Sequence, residues 1–201
     1  SFKKKSLKDN AVIPVLFINT VICSLIFLPL IVLSATGTLP SSCPFHVGGG
    51  GWEMHRYVIL KSVIVLSSWL AGYIGMKHLP LTIVGPINAT RPVMVLIGAL
   101  LVYGERLNAW QWAGVAVAVA SFFLLSRSGK KEGINFAHDK WIGCIVLAAI
   151  LGAVSGLYDK YLMASPSDGG VGLDRMAVQS WYNIYQSAMM LLMLAIIWFP
   201  R

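Results

Sequence analysis

Charge is what this sequence has least of. Asp, Glu, Lys and Arg make up 12% of its 201 residues, against about 25% in soluble domains. Hydrophobic residues reach 57% and the mean hydropathy is +0.72. That balance excludes an ordinary water-soluble domain and points to an integral membrane protein. The formal net charge is +8, yet most basic residues lie beside apolar runs, where headgroup contact explains them better than nucleic acid does. Nucleic acid is therefore not an expected partner. Cysteine is scarce too. Cys23, Cys43 and Cys144 form no CxxC pair, and two of them lie inside apolar runs, so no disulfide framework is implied. Cys43, His46 and His55 share one loop without the spacing of a zinc site, and no metal is expected. There is no nucleophile–base pair, Gly-rich phosphate loop or cofactor fingerprint. All four histidines (His46, His55, His78, His138) lie in or beside loops. An enzyme is not expected, and no cofactor is.

Long apolar runs are what the sequence does have. Six can be read, at 11–33, 57–76, 81–103, 110–126, 141–163 and 176–200. Each is read as a helix, because a lone lipid-facing strand or loop leaves its backbone groups unsatisfied. The first run follows Lys3, Lys4, Lys5 and Lys8 and so mimics a secretory signal, but at about 23 residues it exceeds the 7–15 of a signal core. Tyr57, Tyr103, Trp110, Trp112, Trp141, Tyr161 and Trp198 mark the ends of the runs, as an interfacial belt would. Pairs of small residues four apart suit close helix packing: Ser68/Gly72, Ala71/Gly75, Gly114/Ala118 and Gly152/Gly156. Asn108 and Gln111 have capping-box spacing and open the fourth helix, so the third and fourth form a tight hairpin. The loop 34–55 is long and carries Gly48–Gly51. A plain connection is favoured there over a gate. The linker 127–140 is basic and divides the chain.

Arg91 lies near the middle of the run 81–103, where a guanidinium costs at least about 2.5–3.5 kcal/mol in lipid. Pro86 and Pro92 flank it, each removing a helical hydrogen bond and freeing a carbonyl, that of Thr82 and that of Asn88. Such groups are tolerated at membrane depth only against protein or in a wet cavity, so Arg91 is expected to face a polar interior with Asn88 on the same helix face. As a ligand, Arg91 would offer a planar fork to a carboxylate or phosphate. Gln179, Asn183 and Gln186 recur at i, i+4 and i+7, with Tyr182 and Tyr185 beside them. Substrate lining and hydrogen bonding between helices both suit that stripe, the second contributing about 0.6 kcal/mol per group. Lys61 is expected to snorkel past Tyr57 to the interface. Asp159 and Lys160 are adjacent and so point apart.

The residues 174–183 align loosely with 8–17, each stretch leading into an apolar helix. If the first helix corresponds to the sixth, the period is five helices, and the odd number gives the halves opposite orientation. The stretch 79–107, with Pro92-Val93 near mid-helix and Gly104-Glu105-Arg106-Leu107 at its end, followed by Gln111 and Gly114, resembles the end of an EamA domain. That domain is the signature unit of the drug/metabolite transporter superfamily. The fifth segment, with Gly143, Gly152 and Tyr158-Asp159-Lys160, resembles the opening helix of a second unit. The resemblance implies an all-α, polytopic transmembrane bundle whose six visible spans are helices two to seven of a ten-helix, 5+5 inverted-repeat transporter. Residues 1–126 would then hold helices two to five of the first repeat, 127–140 a basic linker, and 141–201 the first two helices of the second. It also implies a multi-pass protein of a bacterial inner membrane, moving small polar or anionic metabolites such as amino acids by alternating access. A polytopic membrane enzyme and a non-transporting assembly protein are the alternatives. Arg91, Asn88, Gln179, Tyr182, Asn183 and Gln186 are the expected substrate-binding set, with Pro86, Pro92, Gly104 and Glu105 as the structural motif. The partners expected are a small-molecule substrate and the lipid bilayer. No coupling ion is assigned, and oligomerisation is not indicated.

Overall fold

The computed structural model describes residues 12–104, 106–131 and 139–198, and among these every regular element is a helix. Glu105 and the 132–138 part of the basic linker lie outside the described residues. The helices are α1 (Val12–Ala35), α2 (Trp52–His78), α3 (Leu81–Ala89), α4 (Arg91–Tyr103), α5 (Ala109–Lys131), α6 (Lys140–Met163) and α7 (Arg175–Met193). A π-helical turn, Leu194–Trp198, continues α7. Among the described residues four stretches are long and apolar enough to cross a membrane: Val12–Ala35, Trp52–His78, Leu81–Tyr103 and Lys140–Met163. The third span is in two pieces, a departure from the single helix expected. Pro92 has no N–H for the Asn88 carbonyl, and the ladder breaks at Thr90, whose N–H turns to Ile87 O at 3.2 Å. The Thr90 hydroxyl donates to the same carbonyl at 2.7 Å. Pro86, by contrast, sits inside α3 without ending it.

The chain forms two compact units, one built on Ser67–Leu157 and the other on Asp9–Leu66 with Tyr158–Arg201. In the first, Leu79, Ile83, Val84 and Ile87 pack with Ile142, Ile145 and Ala149 of α6 in one buried cluster. Small residues let the backbones of α2 and α6 approach. Ser68 Oγ donates to Ala148 O at 2.7 Å, and a Cβ on Gly72 would stand 3.5 Å from that of Ala148. His78 stacks on Trp141 with ring centroids 3.6 Å apart. The Tyr103 hydroxyl donates to Leu157 O at 2.9 Å, and Gly104 then turns the chain with φ +64°. Asn108 and Gln111 exchange two hydrogen bonds of 2.8 Å each, N–H to side-chain oxygen in both directions. This is the reciprocal cap expected at the start of α5.

In the second unit α1 packs on α7. Its buried positions Leu16, Thr20 and Ser24 recur every four residues, while Ile18, Ile22, Leu25 and Ile26 are exposed. That is one protein-facing stripe on a helix otherwise suited to lipid. Ser24 Oγ donates to Asn183 O at 2.7 Å. Asp174 caps α7 by accepting from Ala177 N at 2.9 Å. A second buried cluster joins Met54 and Val58 of α2, Leu162 of α6, and Ala177, Val178 and Tyr182 of α7. The loop after α1 is tied down at several points. Val47 N donates to Ser34 Oγ at 2.9 Å, and Trp181 Nε1 donates to Gly48 O at 3.1 Å. His55 Nε2 lies 2.9 Å from Gly49 O.

Candidate functional site

Arg91 opens α4 directly after the break at Thr90, half-buried within the first unit. A cavity of about 210 Å³ there is lined by Ser68, Trp69, Gly72, Tyr73, Met76, Asn88 and Arg91. Asn88 and Arg91 therefore do share one space with side chains of another helix. The volume is below the roughly 300–1,000 Å³ of drug-sized sites and suits a small metabolite. Arg91 Nη2 donates to Ala148 O at 3.2 Å. Behind it Gly152 leaves the guanidinium room, since a Cβ there would meet its Cζ and Nε at 3.0 Å and its Nη1 at 3.1 Å. The Arg91 Nε–H is buried without a hydrogen-bond partner among the described residues. Among the described residues no carboxylate neutralises this cation. Its N–H donors outnumber the acceptors described for them.

The polar stripe of α7 belongs to the second unit. Asn183 and Gln186 are buried and Gln179 is half-buried. Asn183 Nδ2 donates back to Gln179 O at 2.8 Å, one turn earlier on the same helix. Its carbonyl holds Ser24 Oγ. Gln186 differs, because its Nε2 is buried with no hydrogen-bond partner among the described residues. Tyr182 is buried too, and its ring carries the Lys61 ammonium 4.8 Å from the centroid.

That last contact corrects the expectation for Lys61. The side chain does not snorkel out past Tyr57. Lys61 is 5% exposed, and its Nζ lies 2.6 Å from Asp159 Oδ1. Sequence reading missed this pair because the partners are distant in the chain. The signal available was Lys61 itself, the one charged residue within the apolar run 57–76. Trp69, Tyr73, Ala148 and Gly152 were also missed as surroundings of Arg91. The four-residue spacing of Trp69 and Tyr73, beside the small pair Ser68/Gly72, was their trace.

The fold and these buried polar groups define a multi-pass helical membrane protein with an intramembrane polar interior. The EamA-like transporter family matches residues 2–127, and the chain belongs to that family, which consists of integral membrane transporters of the drug/metabolite superfamily. It is also similar to an "uncharacterized transporter in cobO 3'region" of Sinorhizobium sp, with 32% identity over 95 residues. That match spans 47% of this chain and 64% of the relative's length. No solved structure matches the chain.

Proposed function

We propose that the chain forms part of a secondary carrier of small polar or anionic metabolites, with amino acids as the representative class, in a bacterial inner membrane. Arg91 is its principal substrate ligand. The observation that carries this reading is the guanidinium beside a cavity of metabolite size, bonded to one backbone carbonyl and paired with no carboxylate among the described residues. A carboxylate or phosphate entering that space would take up its free donors in a bidentate pair, which a lysine ammonium does not reproduce. Asn88, one turn before Arg91 and on the same cavity, would hold a second polar group of the substrate. Gln179, Tyr182, Asn183 and Gln186 would line the pathway from α7, and the unpartnered Gln186 amide supports that role.

Movement would follow alternating access between two inverted five-helix repeats. The pairing of α1 with α7 supports the repeat, since they are the first and sixth apolar segments and meet through Ser24 and Asn183. The loop after α1 also receives Trp181 from near the start of α7, as two oppositely running helices require.

The test is uptake into proteoliposomes of labelled zwitterionic and anionic amino acids, with tetraphenylphosphonium as the cationic contrast. Arg91→Lys should lower carboxylate transport roughly 10- to 100-fold, the equivalent of losing a charged hydrogen bond of about 1.5–3 kcal/mol, at unchanged expression. A protein that moves only the hydrophobic cation, with Arg91→Lys and Arg91→Gln as active as the parent, would defeat the assignment.

A further inference from the structure

We propose that the end of α2 and the start of α6 form a binding site for the headgroup of an anionic phospholipid, with Lys77 and Lys140 as ligands of its phosphate and the stacked rings of His78 and Trp141 as its floor. Such a site needs only a chain that spans a membrane, whatever the protein carries.

Lys77 is the penultimate residue of α2 and Lys140 the first of α6, so both stand at span ends, the level at which headgroups lie. The two helix ends are in tight contact. A Cβ on Gly75 would lie 3.1 Å from Trp141 O, and the His78 and Trp141 rings are parallel, with an interplanar angle of 1° and centroids 3.6 Å apart. His78 is held from its own helix as well, its Nδ1 2.9 Å from Ile74 O. Trp141 is half-buried while Lys77, His78 and Lys140 are exposed. A fixed aromatic floor thus carries cations at an accessible surface, and an indole at that level is itself an anchor in the headgroup layer.

Charge decides what fits there. The Lys140 ammonium stands 4.9 Å from the Trp141 ring centroid, an attraction that leaves its charge unneutralised. The adjacent carboxylate does not pair with it. Asp139 Oδ1 accepts from Trp141 N at 2.9 Å at the start of α6, and the ion pairs among the described residues are Arg56–Glu53 and Lys61–Asp159. After α2, α3 with α4 returns the chain across the bilayer and α5 brings it back, so Arg127, Lys130 and Lys131 near the end of α5 lie on the same membrane side as Lys77 and Lys140. In the segments 77–80 and 127–140 these cations are opposed by Glu132 and Asp139. An anionic phosphodiester complements that field, each lysine contributing roughly fivefold in affinity, whereas a zwitterionic headgroup brings it no net charge. A phosphate held by Lys77 of α2 and Lys140 of α6 would tie the two helix ends together.

Native mass spectrometry of the full chain in neutral detergent, titrated with phosphatidylglycerol or phosphatidylcholine, tests the site. The parent should retain one phosphatidylglycerol in roughly tenfold or greater preference to phosphatidylcholine, and its melting temperature should rise with the anionic lipid alone. Lys77→Gln/Lys140→Gln should weaken phosphatidylglycerol binding roughly 10- to 30-fold and abolish its effect on melting. Both side chains are exposed, so the fold survives the change. The charge-matched variant Arg106→Gln/Arg175→Gln, which removes two exposed cations elsewhere in the chain, should bind as the parent does. A parent that binds the two lipids equally, or a lysine double variant that keeps the parental affinity, overturns the site. An equal loss in the arginine double variant would mean a diffuse effect of net charge and overturns it too. Glycerol 3-phosphate raising the melting temperature as far as the intact lipid would reveal a free-phosphate site and overturn the lipid assignment.

Discussion

The guanidinium of Arg91 lies against Gly152, so close that a methyl group on that glycine would press on it at 3.0 Å. The flat α6 surface there lets Nη2 reach Ala148 O, and Gly152 thereby aims a residue on another helix. Gly152→Ala should push the guanidinium toward the cavity and out of register with a bound carboxylate. The expected result is a rise in KM for amino acid uptake of roughly three- to tenfold, less than the ~100-fold that a full 1 Å misplacement can cost, because the guanidinium has only a few tenths of an ångström to give. Thermal stability should change little, because the group displaced is the end of a long side chain. Equal KM values in Gly152→Ala and the parent would detach Gly152 from the site.

Gly104 makes the turn between α4 and α5 in a left-handed conformation, φ +64°. Nothing among the described residues lies within 4 Å of the Cβ position, so the cost of a side chain there is conformational. Gly104→Val should lower stability by about 1–2 kcal/mol, and Gly104→Asn by less, since asparagine tolerates this region. Detergent-solubilised unfolding curves would order the three proteins, and a Val variant as stable as the Asn one would contradict the turn assignment.

Two glycines of the small-residue pairs separate packing from open surface. A Cβ on Gly75 would come within 2.5 Å of Ile145 side-chain atoms and 3.1 Å of Trp141 O, whereas one on Gly114 meets nothing. Gly75→Ala should therefore destabilise the protein, as overpacking does by about 1–3 kcal/mol. Gly114→Ala should be neutral or stabilising by up to about 1 kcal/mol, the helix-propensity difference. The reverse order of melting temperatures would show that α2 and α6 do not pack as described.

This contrast also shows what the sequence made readable. Spacing alone placed Ser68/Gly72 and Gly114/Ala118 in one class, because a pattern of small residues reports the possibility of approach and not the partner. Depth was legible: the apolar runs located the helices, and Arg91 within its run pointed to the polar interior where Asn88 and Arg91 now meet. The local chemistry of Asn108 and Gln111 was legible as well, since both ends of that cap lie within one turn. The Lys61–Asp159 contact was not, because it joins residues far apart in the chain and each looked like a helix-end charge by itself. The break at Thr90 was half legible. Pro92 announced a lost hydrogen bond, but an equivalent proline six residues earlier left its helix intact.

The loop after α1 gives the last prediction. Trp181 Nε1 donates to Gly48 O, and its ring meets that of His55 edge-on with centroids 4.9 Å apart. His55 in turn lies 2.9 Å from Gly49 O and, through Nδ1, 2.8 Å from the Tyr185 hydroxyl. A glycine-rich loop expected to be a plain connection is therefore held by one indole and one imidazole, both attached to helices. Trp181→Phe keeps the aromatic bulk and the edge-on contact but removes the donor, leaving the Gly48 carbonyl without it. A hydrogen bond of this kind is worth about 1 kcal/mol, so the loop should open roughly fivefold more often. Hydrogen–deuterium exchange over 46–51 should accelerate by that factor, while exchange in α7 stays as in the parent. Trp52→Phe, at a residue 75% exposed, is the control and should leave the loop unchanged. Identical exchange at 46–51 in Trp181→Phe and the parent would mean that the Ser34 and His55 bonds hold the loop without the indole.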